Sequence, residues 1–171
     1  MFTVHATKKL LDRVKQPAVA SAFEPKTALG NWYATAIFWK PQVSLFVNER
    51  TLLPVLVPLA PAANLMERFP EFLRQVLVAH EVDRSFVASE TAELWDGTYA
   101  KTASRSILGI INEFTYLGGF MRDELGPDDL LQIALELSET PCGPLYKRCV
   151  SPDRELRAVV NNWLARPPSG I

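Results

Sequence analysis

The first third of the chain alternates hydrophobic and polar residues with a period of two, a pattern typical of β-strands. In FTVHA, residues 2–6, apolar positions alternate with Thr3 and His5, so one face of this strand is predicted to be buried. In NWYATAIFW, residues 31–39, both alternating faces are apolar, which predicts a central strand covered on both sides. Its aromatic residues are therefore interpreted as core rather than as a stacking platform for bases.

Two further strand segments follow the central one after short turns. The first is VSLFVN, residues 43–48, and the second is LLPVLVPL, residues 52–59. Pro54 and Pro58 cannot donate hydrogen bonds to a neighbouring strand, so the second segment is predicted at an edge of the sheet. Three consecutive strands joined by short turns predict an antiparallel meander.

Beyond residue 62 the hydrophobic period becomes that of an α-helix. Pro61 and Pro70 each suit the first turn of a helix, which predicts two helices, at residues 62–69 and 71–82. Residues 16–30 are expected to form a loop. Five other helices are predicted, at residues 8–14, 84–95, 105–125, 128–139 and 153–165. Thr7, Asp83 and Ser151 are the predicted caps of the first, second and last of these. A short strand is expected at residues 98–102.

This order of elements, strands first and helices afterwards, predicts the α+β class. We expect a single domain over residues 1–166, in which an antiparallel β-meander and an N-terminal strand pack against several C-terminal helices. Residues 167–171 are expected to be a flexible C-terminal tail. No internal repeat and no linker divides the chain.

Composition narrows the classes of function that remain. Hydrophobic residues make up 48% and charged residues 22% of the 171 positions, which is ordinary for a globular protein. The formal charge of −1 and the pI of about 6.1 exclude a protein that coats nucleic acid through bulk positive charge, but leave a local basic patch open. The chain shows no signal-peptide pattern and no apolar stretch long enough for a bilayer, so we expect a soluble, cytoplasmic protein without a membrane partner.

The cysteines and histidines do not form a recognisable metal motif. Cys142 and Cys149 lack the spacing and the neighbouring ligands of a zinc site, and free thiols in a reducing compartment are predicted. His5 and His80 lie far apart in the sequence, without acids or cysteines at metal-ligand spacing. We therefore predict no metal and no cofactor.

A cluster of cationic and hydroxyl side chains precedes the long helix, in the segment YAKTASRSILGIINEF of residues 99–114. The unpaired N–H groups of a helix start carry partial positive charge. Asn112 projects on the same side of the helix as the arginine of the cluster, and a phosphate or carboxylate is predicted to bind there. The candidate ligand-binding residues at this start are Lys101, Thr102, Ser104 and Arg105.

An ordinary helix start explains the same residues without a ligand. In that interpretation Thr102 or Ser104 is the cap, Lys101 is solvated, and Arg105 pairs with a nearby acid. The segment has no glycine-rich cradle of the kind found in nucleotide-binding loops. On the sequence alone both interpretations stay open.

Four further residues are candidates for the same site. Glu49 follows a predicted strand and is either a general base beside the arginine or a turn residue chosen for solubility. His5 is either a base or a structural histidine held by hydrogen bonds. Lys8 and Lys9, at the start of the first helix, either contact phosphates or form a solvated surface.

The blocks HATKKLL, LGNWYATAIFW, LFVNERTLLPVL and KTASRSILGIINEF occur in this order within residues 1–120. In their order and spacing they resemble a family of small bacterial proteins known only as a domain of unknown function. Similar sequences begin the long helix with asparagine-arginine-serine where this chain has Ser104, Arg105 and Ser106, and carry methionine-asparagine where it has Ile111 and Asn112. The resemblance implies no activity, and it ends near residue 121.

Three functions follow, in this order of preference. The first is a binding module for a phosphate-bearing ligand, nucleic acid or nucleotide, at the helix start near Arg105. The second is a phosphodiester-cleaving or phosphate-transferring enzyme that uses Glu49 or His5 as the base together with Arg105. The third is a protein–protein interaction module without catalysis, such as a homo-oligomer formed through the C-terminal helices, with Trp163 and Val159 as its anchor.

Overall fold

The computed structural model of the chain describes residues 1–166, and these residues form six strands and six α-helices. The tail predicted at residues 167–171 lies outside the described residues. The strands are β1 Phe2–Ala6, β2 Ala18–Val19, β3 Trp32–Ile37, β4 Val43–Asn48, β5 Pro54–Pro58 and β6 Gly97–Lys101. The helices are α1 Lys8–Val14, α2 Leu65–Ala79, α3 Arg84–Ala92, α4 Arg105–Leu125, α5 Leu130–Leu137 and α6 Pro152–Ala165.

All six strands join in one sheet with the order β2–β6–β1–β3–β4–β5. β1 runs parallel to both of its neighbours, β3 and β6, and β2 runs parallel to β6. β3, β4 and β5 are antiparallel neighbours, so the predicted α+β class and the predicted meander are confirmed. The sheet as a whole is mixed rather than a meander, because β1 and β6 add to β3 in parallel. The loop predicted at residues 16–30 contains the short edge strand β2.

Hydrophobic clusters cover both faces of the sheet. On the first face the Phe69 ring of α2 lies between sheet residues, with ring centroids 5.0 Å from Trp32 and 4.2 Å from Phe46. α1, α3 and α6 pack on this face as well. On the second face Tyr33 belongs to a cluster with Phe114 of α4 and part of α5. Every residue of β3 and β4 is buried, as the two-sided apolar pattern of β3 predicts.

The prolines mark an edge strand as predicted, but they do not divide two helices. β5 carries Pro54 and Pro58 and lies at the edge of the sheet. Pro70 lies inside α2, which is a single helix where two were predicted. Pro70 removes one backbone hydrogen bond, yet Leu65 and Leu73 on either side of it are fully buried. Packing of this continuous apolar stripe therefore outweighs the lost hydrogen bond.

The predicted helix caps are only partly confirmed. Asp83 caps α3, since its carboxylate accepts a backbone N–H at 2.8 Å. Thr7 and Ser151 occupy the N-cap positions of α1 and α6 as predicted, but neither hydroxyl makes the expected cap hydrogen bond. The Thr7 hydroxyl bonds the Thr35 hydroxyl at 2.8 Å, and the Ser151 hydroxyl donates to the Asp153 carboxylate. Each hydroxyl thus has a side-chain partner that competes with the helix start.

Two predictions from composition are also addressed by the structure. Cys142 and Cys149 are both free thiols, and the Cys142 side chain is buried. Within residues 1–166 no helix is both long enough and apolar enough to cross a membrane.

Candidate ligand-binding site at the carboxyl ends of two parallel strands

β1 and β6 end side by side at one edge of the sheet. They are parallel neighbours whose register pairs Ala6 with Lys101, the last residues of the two strands. α1 continues from β1 onto the first face, and α4 continues from β6 onto the second face. Where the connections after two adjacent parallel strands diverge in this way, a crevice that can hold a ligand forms outside their carboxyl ends. We call residues 6–8 and 101–105, which surround this point, the β1–β6 edge.

Cationic side chains surround the β1–β6 edge. Lys101 and Arg105 are exposed, and neither forms an ion pair with any of residues 1–166. The alternative in which Arg105 pairs with a nearby acid therefore finds no support in the described part of the chain. Lys8 and Lys9 on α1 are exposed too, and Lys8 pairs with Asp12 of its own helix at 3.1 Å. The edge thus carries an excess of positive charge.

The start of α4 is partly satisfied by the protein itself. Ser104 is the cap, because its hydroxyl accepts the backbone N–H of Ile107 at 3.2 Å. The Tyr33 phenol faces the backbone N–H groups of Ala103 and Ser104. The N–H groups of Arg105 and Ser106, in the first turn, have no intrahelical acceptor. Of the two interpretations of this start, capping by Ser104 is therefore confirmed, and two backbone donors beside the Arg105 side chain stay available to a ligand.

The solvent side of α4 is open from Arg105 to Asn112. Both residues are exposed, and they lie about two turns apart. A Cβ atom at Gly109, between them, would meet no atom within 4 Å. Packing therefore does not require a glycine here, and this side of α4 remains accessible in the described chain. Thr102, which precedes the helix, is half-buried.

His5 is held in place by two contacts beside the β1–β6 edge. Its Nδ1 atom donates to the Lys101 carbonyl oxygen at 2.9 Å, since a carbonyl can only accept. Its ring stacks on Tyr33, with centroids 4.5 Å apart and the planes at 19°. Only 9% of His5 is exposed. Of the two roles predicted for His5, the structural one is therefore present, and in the neutral ring this hydrogen bond leaves Nε2 without a proton.

Glu49 follows β4, which flanks β3 on the side opposite β1, and its charge acts on the same tyrosine. It follows the last residue of β4, as predicted, and its Oε1 accepts the backbone N–H of Asn31 at 2.7 Å. Burial raises the pKa of Tyr33, and the negative charge of Glu49 raises it further. The N–H groups of Ala103 and Ser104 act in the opposite direction. The fold thus stacks His5 on Tyr33, whose hydroxyl faces the start of α4, and places Glu49 after the strand on the other side of β3.

Tyr33 is the residue of this site whose place sequence reasoning missed. The apolar pattern of β3 correctly predicts its burial, and 5% of it is exposed. Its contact with α4 depends on a separation of about seventy residues in the chain, which no local pattern records. The one available signal was the alternation of His5 on β1, because parallel pairing places His5 opposite Tyr33 on one face.

The fold and this edge define a class: a single-domain α+β protein with a mixed sheet and diverging helices at the ends of two central parallel strands. A family model described as "Domain of unknown function (DUF6933)" matches residues 3–155. Because this match spans most of the chain, the protein belongs to that family, and the resemblance of the four sequence blocks to a domain of unknown function is confirmed. The match continues to residue 155, well past residue 121, where the resemblance was expected to end. The curated proteins and the solved structures compared with the chain give no match. The matched region contains all of the candidate site residues named above.

The described residues do not assemble a group of three or more histidine, cysteine or acidic side chains close enough to hold a metal ion. The β1–β6 edge and the adjoining His5 offer ammonium, guanidinium, hydroxyl, imidazole and backbone N–H groups.

Proposed function

We propose that the protein binds a phosphate-bearing ligand, nucleic acid or nucleotide, at the β1–β6 edge. One observation carries the proposal: β1 and β6 end side by side while the helices that follow them pack on opposite faces of the sheet. This arrangement is where ligands bind in open α/β sheets. The exposed cations Lys101 and Arg105 lie at the same edge, at the end of β6 and the start of α4.

The chemistry of the edge favours an anion over a neutral ligand. A guanidinium offers a planar pair of donors to two phosphate oxygens, and the free N–H groups at a helix start add further donors. Lys101 and Arg105 have no acidic partner within residues 1–166, so their charges are available to a ligand. Lys8 and Lys9 extend the positive surface along α1, where a longer phosphodiester chain would run.

Arg105→Ala tests the proposal, and the chain contains a matched control. Arg84 is also an exposed arginine at the first position of a capped helix, but α3 lies on the first face of the sheet. We expect Arg105→Ala to weaken binding about tenfold, and Arg84→Ala to leave it within about twofold. The measurement is fluorescence anisotropy with labelled single-stranded DNA, labelled single-stranded RNA and a fluorescent ATP analogue.

A salt series separates the two kinds of ligand. Loss of one phosphate contact lowers the slope of log affinity against log salt by about one for nucleic acid. We expect this change for Arg105→Ala and not for Arg84→Ala. Equal affinities of the wild type and Arg105→Ala for all three probes would rule out the β1–β6 edge as the binding site.

The arrangement around Tyr33 favours one second candidate, a phosphodiester-cleaving or phosphate-transferring enzyme. His5 presents an unprotonated Nε2 atom in its neutral form, and Glu49 supplies a carboxylate whose charge acts on the same Tyr33. Hydrolysis of bis(4-nitrophenyl) phosphate that falls more than about tenfold in His5→Gln would support it. Absence of hydrolysis by the wild type would contradict the enzymatic function.

The interaction hypothesis loses the anchor that was predicted for it. Trp163 and Val159 are partly buried against the core of their own chain. The Trp163 ring meets Phe86 of α3 edge to face, with centroids 5.4 Å apart and the planes at 88°. A homo-oligomer formed through the C-terminal helices would therefore have to use other residues, and it ranks last.

A further inference from the structure

Three arginines from separate parts of the chain surround one surface cleft of about 220 Å³. Arg50 follows β4, Arg148 lies before α6, and Arg166 follows the last residue of α6. All three are exposed. The remaining lining residues are Ala28, Val159, Asn162 and Trp163. We call this cleft the arginine cleft.

The charges of the arginine cleft are only partly compensated. Arg148 forms an ion pair with the buried carboxylate of Glu155. Arg50 donates to the Ala28 carbonyl oxygen at 2.8 Å, but neither Arg50 nor Arg166 forms an ion pair within residues 1–166. Like charges around one cleft repel each other, and an anion bound between them removes this repulsion. The cleft therefore has a charge that suits an anionic ligand.

The floor of the cleft is partly apolar, whereas its rim is charged. Val159 and Trp163 are half-buried against the first-face core, and Trp163 is fixed there by its edge-to-face contact with Phe86. Asn162, beside them on α6, is exposed and offers an amide donor and acceptor. A ligand that combines an oxyanion with a small apolar part would meet both surfaces at once. The volume is below that of a drug-sized pocket, which limits the ligand to a small molecule.

We propose that the arginine cleft binds a small organic oxyanion, a phosphate monoester or a carboxylate, with the anion between Arg50 and Arg166 and the apolar part against Trp163. Planar guanidinium groups pair with the oxygens of either anion. The site is independent of the β1–β6 edge, since the two share no residue. Three of its lining residues, Val159, Trp163 and Arg166, lie beyond the family match, which ends at residue 155.

Isothermal titration of the full chain with phenyl phosphate, benzoate and inorganic phosphate at constant ionic strength tests the proposal. Phenyl phosphate and benzoate share the ring and differ in the oxyanion, so the tighter of the two identifies the anion. We expect Arg166→Ala to weaken binding of that probe about tenfold. Arg50→Gln is expected to do the same, and its amide retains a donor for Ala28. Arg154→Ala, which removes an exposed arginine of α6 outside the cleft, is expected to change the affinity less than about twofold.

Arg105→Ala separates this inference from the proposed function. Binding of the ring-bearing probe that survives Arg105→Ala and is lost in Arg166→Ala belongs to the arginine cleft. The reverse pattern places the probe at the β1–β6 edge and overturns the inference. Two other results overturn it as well. The first is no heat of binding for any probe at about 10 mM. The second is equal weakening by Arg166→Ala and Arg154→Ala, which would mean that the net positive charge of the surface alone causes the binding.

Discussion

Glu90 provides a test of how burial in the first-face core changes the pKa of a carboxyl group. It lies on α3 with 2% of its surface exposed, and its carboxyl group accepts the backbone N–H groups of Ala28 and Leu29. Burial raises the pKa of Glu90 to about 7, while those two N–H groups and the charge of Arg50 act in the opposite direction. Burial is the larger effect because a charged carboxylate loses its hydration there.

The sign of the effect on stability follows from this direction. A carboxyl group whose pKa is raised by folding binds more protons in the folded state than in the unfolded state. The contribution of Glu90 to the free energy of unfolding is therefore fully present below the ordinary pKa of 4.5 and is lost as the pH rises through about 7. At about 1.4 kcal/mol for each pH unit between these values, the loss is on the order of 3 kcal/mol.

Glu90→Gln removes the titration and keeps an oxygen for the two N–H groups. We expect the free energy of unfolding of the wild type, minus that of Glu90→Gln, to fall by about 3 kcal/mol between pH 4.5 and pH 8. Urea denaturation followed by tryptophan fluorescence at several pH values measures this difference. Because it compares two proteins at each pH, the titration of other groups cancels.

Glu71→Gln is the matched control on α2. Hydrogen bonds from Arg74 and Gln75 lower the pKa of Glu71 to about 2. Its contribution is therefore lost only as the pH falls below its ordinary value, and its difference profile is expected to be flat above about pH 5. A flat profile for Glu90→Gln, or one that rises with pH, would refute the reasoning about Glu90.

Three further predictions concern the core, a turn and the thiols. Phe69→Ala is expected to lower the free energy of unfolding by about 3–5 kcal/mol, measured by urea denaturation, because it empties a fully buried site between the rings of the sheet; a loss below about 1 kcal/mol would contradict this packing. Gly30→Ala is expected to cost about 1–3 kcal/mol in the same assay, because Gly30 has φ +78° and a Cβ there would collide with the Glu49 carboxylate; an unchanged midpoint would contradict it. The Cys142 thiol is fully buried, and burial raises its pKa to about 11, so it is expected to react with Ellman's reagent only after unfolding. The half-buried Cys149 is expected to react first. Equal rates of the two thiols in the folded protein would contradict this placement.

The elements whose signals are local were predicted well. The structure has α4 over Arg105–Leu125, the bounds that the amphipathic period and the preceding hydroxyl predict. The two-sided apolar pattern of β3 and the prolines of β5 likewise indicated a central strand and an edge strand. Prediction failed where tertiary packing opposed the local sequence signal. Pro70 reads as a helix start, yet it lies within α2 because the stripe of buried side chains continues past it.

The candidate site was only partly predictable for the same reason. Its cations and its cap lie in one segment, so the sequence indicated Lys101, Ser104 and Arg105 without knowledge of the fold. The positions of His5 and Glu49 around Tyr33 depend on which strands pair and in which direction. The arginine cleft was not predicted at all, since Arg50 and Arg166 are separated by most of the chain.

By itself, the sequence determined the α+β class, the meander, the long helix and the charge at its start, because period, turn residues and caps act over a few neighbouring positions. Only the tertiary structure decided that β1 lies in parallel between β3 and β6. That pairing joins residues almost a hundred positions apart, and it is selected by the burial of both faces of the sheet together. The divergence of α1 and α4 from the β1–β6 edge follows from this pairing, which no short stretch of the chain encodes.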